Sequence, residues 1–440
     1  MRAKKTTLWA SLAVISGMVL SGCSSSSDSV SYWGAFYAPP TQEVFQKTFV
    51  DEFNKSADVP VKMDVKQLTN LGQLTETAVS AGRGPDVVYA DGPSSASAFA
   101  NADRLAPLDE YATKYGWADK LLPWAYDLGK VNGGLYSVPT GYGSLVLYYN
   151  KEVFAANNWT APTTLQEFES IAQEATSKGM IALGGGNSGY QAMSEWLLTS
   201  VLNAGVGPEK LYDVLMGKAK FTDPEFVEII DLIKSWVDKK WLAGGSESYF
   251  TTDDTANFTG LADGSVAMYM TGTWSFGSAG SFSDKPDWWD WAPLPSFSDA
   301  VEPGVYPLAI GTTLSVNAKS KNPAAAAAFI DFIIGDTARS LSYTAATGEN
   351  PPPLNVSASD FPSSVDERTT RLYASIPQTT NVGYASWTFF PPQTDTFMWT
   401  EFDKIVTGSQ SSLDYLKGLQ AVFEKEKSAG KTLVPFAPAH

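Results

Sequence analysis

The chain has 440 residues and a formal net charge of −16, with 44% hydrophobic and 18% charged residues. This balance is globular and not disordered, and the length suits two units of ordinary size better than one core. A single cysteine at 23 and a single histidine at 440 leave no disulfide, no Cys–His pair, no histidine base and no His-rich zinc site. An acidic surface repels nucleic acid, so none is expected, and a neutral or cationic ligand fits better than an anion. With no histidine or thiol ligands in the body of the chain no metal is expected, and no cofactor is expected either.

The first segment is a leader. Arg2, Lys4 and Lys5 precede a short apolar run at 8–20, too short to span a bilayer, which needs about 20 residues. Leu20-Ser21-Gly22-Cys23 follows and resembles the lipobox of bacterial exported lipoproteins. That resemblance implies a signal peptide at 1–22, lipidation of Cys23, and a flexible polar tether over 23–31. A diacylated cysteine anchors stably because two chains insert. The protein is therefore expected outside the cytoplasm, on the outer face of the bacterial cytoplasmic membrane.

Strand and helix patterns then alternate. A strand is predicted at 30–36, a helix at 42–54 with Val44, Phe45, Phe49 and Phe53 on one side, and an alternating strand at 59–65. A helix at 71–81, a buried strand at 86–89 and a helix from 94 follow. This βαβα order predicts an α/β fold with a mostly parallel sheet and ligands at strand C-termini. Residues 136–150 form a longer strand containing Pro139, Gly141 and Gly143. Helices are predicted at 164–175 with Thr163 as N-cap, at 192–202, and at 223–239 capped by Asp223. Strands at 180–183, 265–270 and 308–317, an alanine-rich helix ending at 334, and helices at 399–407 and 413–427 complete the pattern.

Aromatic residues make up 13% of the chain, and many stand beside Gly, Pro, Ser or Asn outside helical stripes. Loop-borne rings suit the apolar C–H face of a pyranose, with planar polar groups for its hydroxyls.

Several ordered motifs resemble the carbohydrate-specific extracellular solute-binding proteins of bacterial ABC importers, the broad family that includes maltose-binding protein. They are Gly84-Pro85-Asp86-Val87-Val88 with Asp91, Gly134-Leu135-Tyr136-Ser137-Val138-Pro139, Leu147-Tyr148-Tyr149-Asn150, Gly264-Ser265-Val266 with Gly272-Thr273-Trp274, Pro293-Leu294-Pro295, and Ala318-Lys319-Ser320-Lys321-Asn322-Pro323. The resemblance covers essentially the whole chain after the leader. It implies a two-lobed, type II periplasmic-binding-protein fold: lobe 1 from 32–141 plus 313–370, lobe 2 from 142–312 plus 371–440. Crossings would fall near Tyr142, near Gly311 and near 370–375. It implies a monomer that closes on a neutral oligosaccharide and docks on ABC permease subunits, without catalysis.

By position the resemblance places ligand contacts at Phe36 and Tyr37 after the first strand, Asp91 after the third, Tyr142 at the first crossing, and Asn187 and Tyr190 in the glycine-rich loop. It adds Glu195, Trp196, Trp274, Asn350 and Trp387. The crossover acid of maltose-binding protein is replaced by Gly143, which argues against maltose itself. Asp91 alternatively reads as a helix N-cap. The loop at 184–189 matches G-x-G-x-x-G but lacks the acidic residue that a dinucleotide site needs. Ser428-Ala429-Gly430-Lys431 matches S-x-x-K only near the chain end. Rival functions are an exported glycoside hydrolase, with Asp91 and Glu195 as its carboxyl pair, and a peptide-binding lipoprotein.

Overall fold

A computed structural model describes residues 29–36, 39–190 and 192–438. Cys23, Tyr37 and His440 lie outside the described residues.

Nine strands form one sheet around two long antiparallel strands, Val138–Asn150 and Tyr306–Val316. On one side of this pair the order is Val61–Val65, Val30–Gly34, Val87–Ala90, then Tyr306–Val316. On the other side Val138–Asn150 is followed by Val266–Gly272 and Ile181–Leu183, with Trp289–Ala292 also on Val138–Asn150 and Val382–Tyr384 on Tyr306–Val316. The outer pairings are parallel, as the βα alternation predicts. The expectation of a mostly parallel sheet fails at the centre. Both long strands run antiparallel to each other and to Val87–Ala90 or Val266–Gly272. Chain that passes from one half to the other and back must enter the sheet in opposite directions.

The two long strands are irregular where they cross between the halves. Ile310 faces Tyr142 and Thr312 faces Gly141, with register shifts on both sides of Thr312. Gly311 stands in this bulge, and a Cβ there would meet nothing within 4 Å. Thr140 and Thr312 exchange a side-chain hydrogen bond of 3.0 Å beside it. The 370–375 segment is the end of a helix, Glu367–Ser375, and Tyr373 donates its hydroxyl to the Tyr142 carbonyl at 2.5 Å.

Separate cores lie on the two sides. Val30, Phe49, Val87, Trp117, Leu314, Phe329 and Ile330 pack together in one. A larger one holds Leu147, Tyr148, Phe168, Trp236, Phe258, Met268 and Leu416. A third, smaller cluster packs Val79, Ala96, Phe99 and Ala100 of two helices on Val88 and Leu105, and burial in these cores stabilises the fold.

Local expectations were refined in three places. The 42–54 helix begins at Pro39 and contains a π-turn, Gln46–Asp51. The helix after 163 is capped by Thr164, whose hydroxyl accepts from the Glu167 amide, while Thr163 donates to the Glu167 carboxylate. Asp223 sits at the N-cap position of Pro224–Asp238 but does not cap it. Its carboxylate accepts from the Lys220 amide and pairs with Lys210 instead. Among the described residues no helix is long and apolar enough to cross a membrane.

Candidate functional site

Four rings form a contiguous row. Tyr190 and Trp196 lie 5.7 Å apart and tilted, Trp196 and Trp274 meet edge-on at 5.3 Å, and Trp274 meets Trp387 edge-on at 5.8 Å. They come from three distant pieces of chain: the end of the glycine-rich loop with the head of helix Met193–Val206 that follows it, the turn after strand Val266–Gly272, and the short helix Ser386–Phe389. Tyr190 is 40% exposed and Trp196 and Trp387 8% and 9%, with Trp274 between them partly exposed. The Trp274 indole N–H is buried and donates to nothing among the described residues. A free donor at the edge of a ring surface is what a hydroxylated ligand can use.

Glycines let the row form. A Cβ at Gly272 would lie 2.1 Å from the Trp274 ring, which folds back over the end of its own strand. Gly92 has φ +78° and opens helix Gly92–Asn101; a Cβ there would sit 2.7 Å from the Trp387 carbonyl and 2.9 Å from that of Ile310. Only glycine takes that conformation freely and leaves that space.

Asp91 directly precedes Gly92, the residue whose backbone approaches Trp387. It occupies the N-cap position, but its side chain caps nothing. Its Oδ1 instead accepts the Tyr89 hydroxyl at 2.7 Å, and burial pushes its carboxyl above the usual range while the Tyr89 bond partly offsets this. The helix Leu68–Ser80 covers it closely enough that a Cβ at Gly72 would fall 2.3 Å from its Oδ2.

Glu195 is 4% exposed and lies behind the row. Its Oε1 accepts from Ser386 Oγ at 2.6 Å, and it is in hydrogen-bonding contact with Asp395 on helix Pro392–Thr400. Burial raises both carboxyls, and for Glu195 the neighbouring Asp395 raises it further.

Asn350 reaches the row indirectly. Its Oδ1 accepts from Thr273 Oγ1 at 3.0 Å, and Thr273 immediately precedes Trp274. The same threonine oxygen also accepts from the Ser144 amide. This explains Gly143: a Cβ there would lie 2.2 Å from Thr273 Oγ1 and 2.5 Å from Asn350 Nδ2. The space an acidic side chain needs is already filled.

The remaining candidates stand apart from the row. Tyr142 packs its ring on Trp124 and Tyr373, and burial pushes its phenol up. Phe36 packs on Phe45 at the edge of the smaller core. Asn187 donates to Asp403 Oδ1 at 2.7 Å and so ties the glycine-rich loop to helix Asp403–Val406. Residues that sequence reasoning missed are Thr273, Ser386, Asp395 and Glu349. Thr273 and Ser386 each directly precede a tryptophan of the row, which is a usable signal. Glu349 neighbours Asn350, and burial pushes its carboxyl up to about 7.

A separate groove of about 680 Å³ lies between Trp124, the end of helix Gly92–Asn101 and the tail Gly430–Phe436. Its charged pair Asp127 and Lys130 is closed on itself at 2.7 Å. Among the described residues no group of three metal-type ligands occurs.

Two cores, a pair of crossing strands and an aromatic row on the side of the larger core define a two-lobed α/β fold of the periplasmic-binding type. The chain belongs to the bacterial extracellular solute-binding protein family, whose model matches residues 38–339. It is 26% identical over 223 residues to diacetylchitobiose binding protein NgcE of Streptomyces coelicolor, 49% of this chain and 46% of that protein. It is 23% identical over 344 residues to maltodextrin-binding protein MdxE of Bacillus subtilis, 76% of this chain and 77% of that one. The fold resembles a chitin oligosaccharide binding protein with TM-score 0.77 at 15% identity, covering 91% of this chain and all of that one. Maltose-bound MalE3 of T. maritima gives TM-score 0.72 at 18% identity, over 90% and 99% of the two chains.

Proposed function

We propose that this protein is the saccharide receptor of a bacterial ABC importer, capturing a neutral oligosaccharide without chemical change and delivering it to membrane permease subunits. The observation that carries this is the row Tyr190–Trp196–Trp274–Trp387 with Asp91 at its inner end. Rings offer stacking surface to sugar C–H faces, and a carboxylate accepts two hydroxyls at once. The names of NgcE and MdxE support an oligosaccharide.

The two lobes are 32–141 plus 313–370 and 142–312 plus 371–440, hinged at the bulge where Ile310 and Thr312 face Tyr142 and Gly141. Ligand that touches both lobes stabilises the closed state by its differential affinity. The receptor acts as a monomer, held outside the cytoplasmic membrane through lipidated Cys23. Mass spectrometry of the membrane fraction tests the anchor, since the mature chain should begin at a diacylated Cys23.

Calorimetry with maltotriose, N,N′-diacetylchitobiose and xylotriose tests the ligand class, with a reducing-sugar assay in parallel. Saturable binding without bond cleavage is expected. Turnover would instead favour a glycoside hydrolase, and no binding across this panel would reject the saccharide reading.

A further inference from the structure

Glu195 and Asp395 form a buried acid pair that reaches the aromatic row through Ser386. Ser386 Oγ donates to Glu195 Oε1 at 2.6 Å and also accepts from Thr199 Oγ1 at 3.1 Å. Ser386 opens the single-turn helix Ser386–Phe389 that carries Trp387. The opposite end of that turn is fixed by Ser94 Oγ donating to the Phe390 carbonyl at 2.7 Å and by Thr388 Oγ1 accepting from the Ile310 amide at 3.0 Å. The acid pair, together with Thr199, therefore seats one end of a turn whose other end is held separately.

The proton count at the pair follows from its surroundings. Oδ1 of Asp395 is buried, and no hydroxyl, amide or cationic group among the described residues donates to it. The Asp395 carboxyl lies against both the Glu195 carboxyl and the Ser386 hydroxyl, and that hydroxyl donates to Glu195 Oε1. Two carboxylates in buried contact cannot both be ionised at neutral pH; one proton between them turns repulsion into a short hydrogen bond. The other charges acting here are also negative. Asp91 acts on Glu195 from the head of helix Gly92–Asn101, and Glu426 acts on Asp395 from helix Ser412–Ser428. Strand Val266–Gly272 and helix Pro224–Asp238, which also pack on the Glu195 helix, bring no charged group to the pair. Among the described residues no lysine or arginine forms an ion pair with Glu195, Asp395, Asp91 or Glu426.

We propose that Glu195 and Asp395 share one proton and act as positioning residues that hold Ser386, and through it Trp387, in the orientation that completes the aromatic row, so that the grip on saccharide is released as the environment becomes alkaline. This rests on the receptor reading above. When the shared proton leaves, two like charges meet in a site that water does not reach. They move apart, the Ser386 bond shifts, and the Trp387 ring leaves the angle it keeps against Trp274. Glu195 thus acts behind the ligand surface.

Titration of intrinsic tryptophan fluorescence with maltotriose, N,N′-diacetylchitobiose and xylotriose between about pH 5 and about pH 9 tests this, because the window brackets the raised carboxyl range. In wild type the affinity should fall several-fold toward the alkaline end. Glu195→Gln and Asp395→Asn each replace the shared proton by a permanent amide N–H and should flatten that profile. Asp395→Ala should weaken binding at every pH, with Asp395→Asn recovering much of the loss. Circular dichroism checks that each variant is folded, and a misfolded Asp395→Ala leaves the two amide variants to decide. Wild-type binding with an alkaline fall that persists unchanged in both amide variants, or with no fall at all, overturns the inference and leaves the receptor reading standing. No saturable response from any probe at any pH overturns both.

Discussion

Gly277 and Gly348 meet backbone to backbone: a Cβ built on Gly348 would lie 2.2 Å from the Gly277 Cα, and one on Gly277 would lie 2.1 Å from the Thr347 carbonyl oxygen. The contact joins the end of helix Thr337–Thr347 to the short helix Phe276–Ala279, which directly follows the Trp274 turn. These helices belong to opposite proposed lobes, so the contact is made only when they are together. Gly277→Ala introduces the smallest obstacle that must part them. We expect saccharide affinity to fall by about 1–3 kcal/mol, the usual cost of overpacking, with an increased radius of gyration in X-ray scattering of the liganded protein. Unchanged affinity and unchanged scattering would remove this contact from the closure.

Trp274 touches two of the other three rings in the row. Trp274→Ala removes a stacking face and leaves Trp196 and Trp387 without their common neighbour. Binding of whichever saccharide the wild type takes should weaken by about 1–3 kcal/mol, from lost burial and ring contact. Calorimetry measures it directly, and an unaltered Kd places the ligand elsewhere.

Glu426 is a helix cap supplied from outside the helix. Its carboxylate takes the Gln393 amide at 3.0 Å, the Thr394 amide at 2.7 Å and Thr394 Oγ1 at 2.9 Å, all at the start of helix Pro392–Thr400. These amides have no partner within their own helix. Glu426→Ala should reduce stability by about 1–3 kcal/mol, because buried donors are left unpaired. Urea denaturation gives the number; a midpoint within error of wild type would mean that another group takes over the cap.

Burial holds the Glu349 carboxyl up at about 7 and that of Asp254 up at about 6, the latter despite a Tyr269 hydroxyl bond that lowers it. A carboxyl with a raised native pKa binds its proton more tightly folded than unfolded. Its favourable contribution is complete below the unfolded value near pH 4–4.5 and is lost as pH rises through 6 to 7. Thermal stability should therefore decline between about pH 5 and pH 8, and Glu349→Gln should lessen the decline by about 1–3 kcal/mol. Melting curves across that range, compared between the two proteins, check the sign.

Where the signal was periodic or compositional, it could be read along the chain. Val61–Val65 was legible as a strand from its alternation of apolar and polar residues, and Val87–Ala90 as a short apolar run between Gly84-Pro85 and Asp91-Gly92. Helix Asp254–Asp263 was not, since it buries only part of a weakly patterned face and Gly260 interrupts it. Among the candidate site residues, Trp196, Trp274 and Trp387 were legible through the family resemblance, which places ligand contacts at their positions. Asp395 did not, because an acid in the first turn of a helix is ordinary and nothing local reveals that Glu195, 200 positions earlier, lies against it.

The sequence by itself determined the α/β alternation, the excess of acidic residues, and that the single cysteine and single histidine stand at positions 23 and 440. Each of these is set by composition or by periodicity within a few turns of one element. Tertiary structure alone decided that aromatic residues from three remote segments share one row, that Gly143 faces Thr273 and Asn350, and that two acids meet behind Ser386. Such relations depend on how helices and strands with no local link pack against one another. Packing distances are fixed by the whole fold, not by neighbours along the chain.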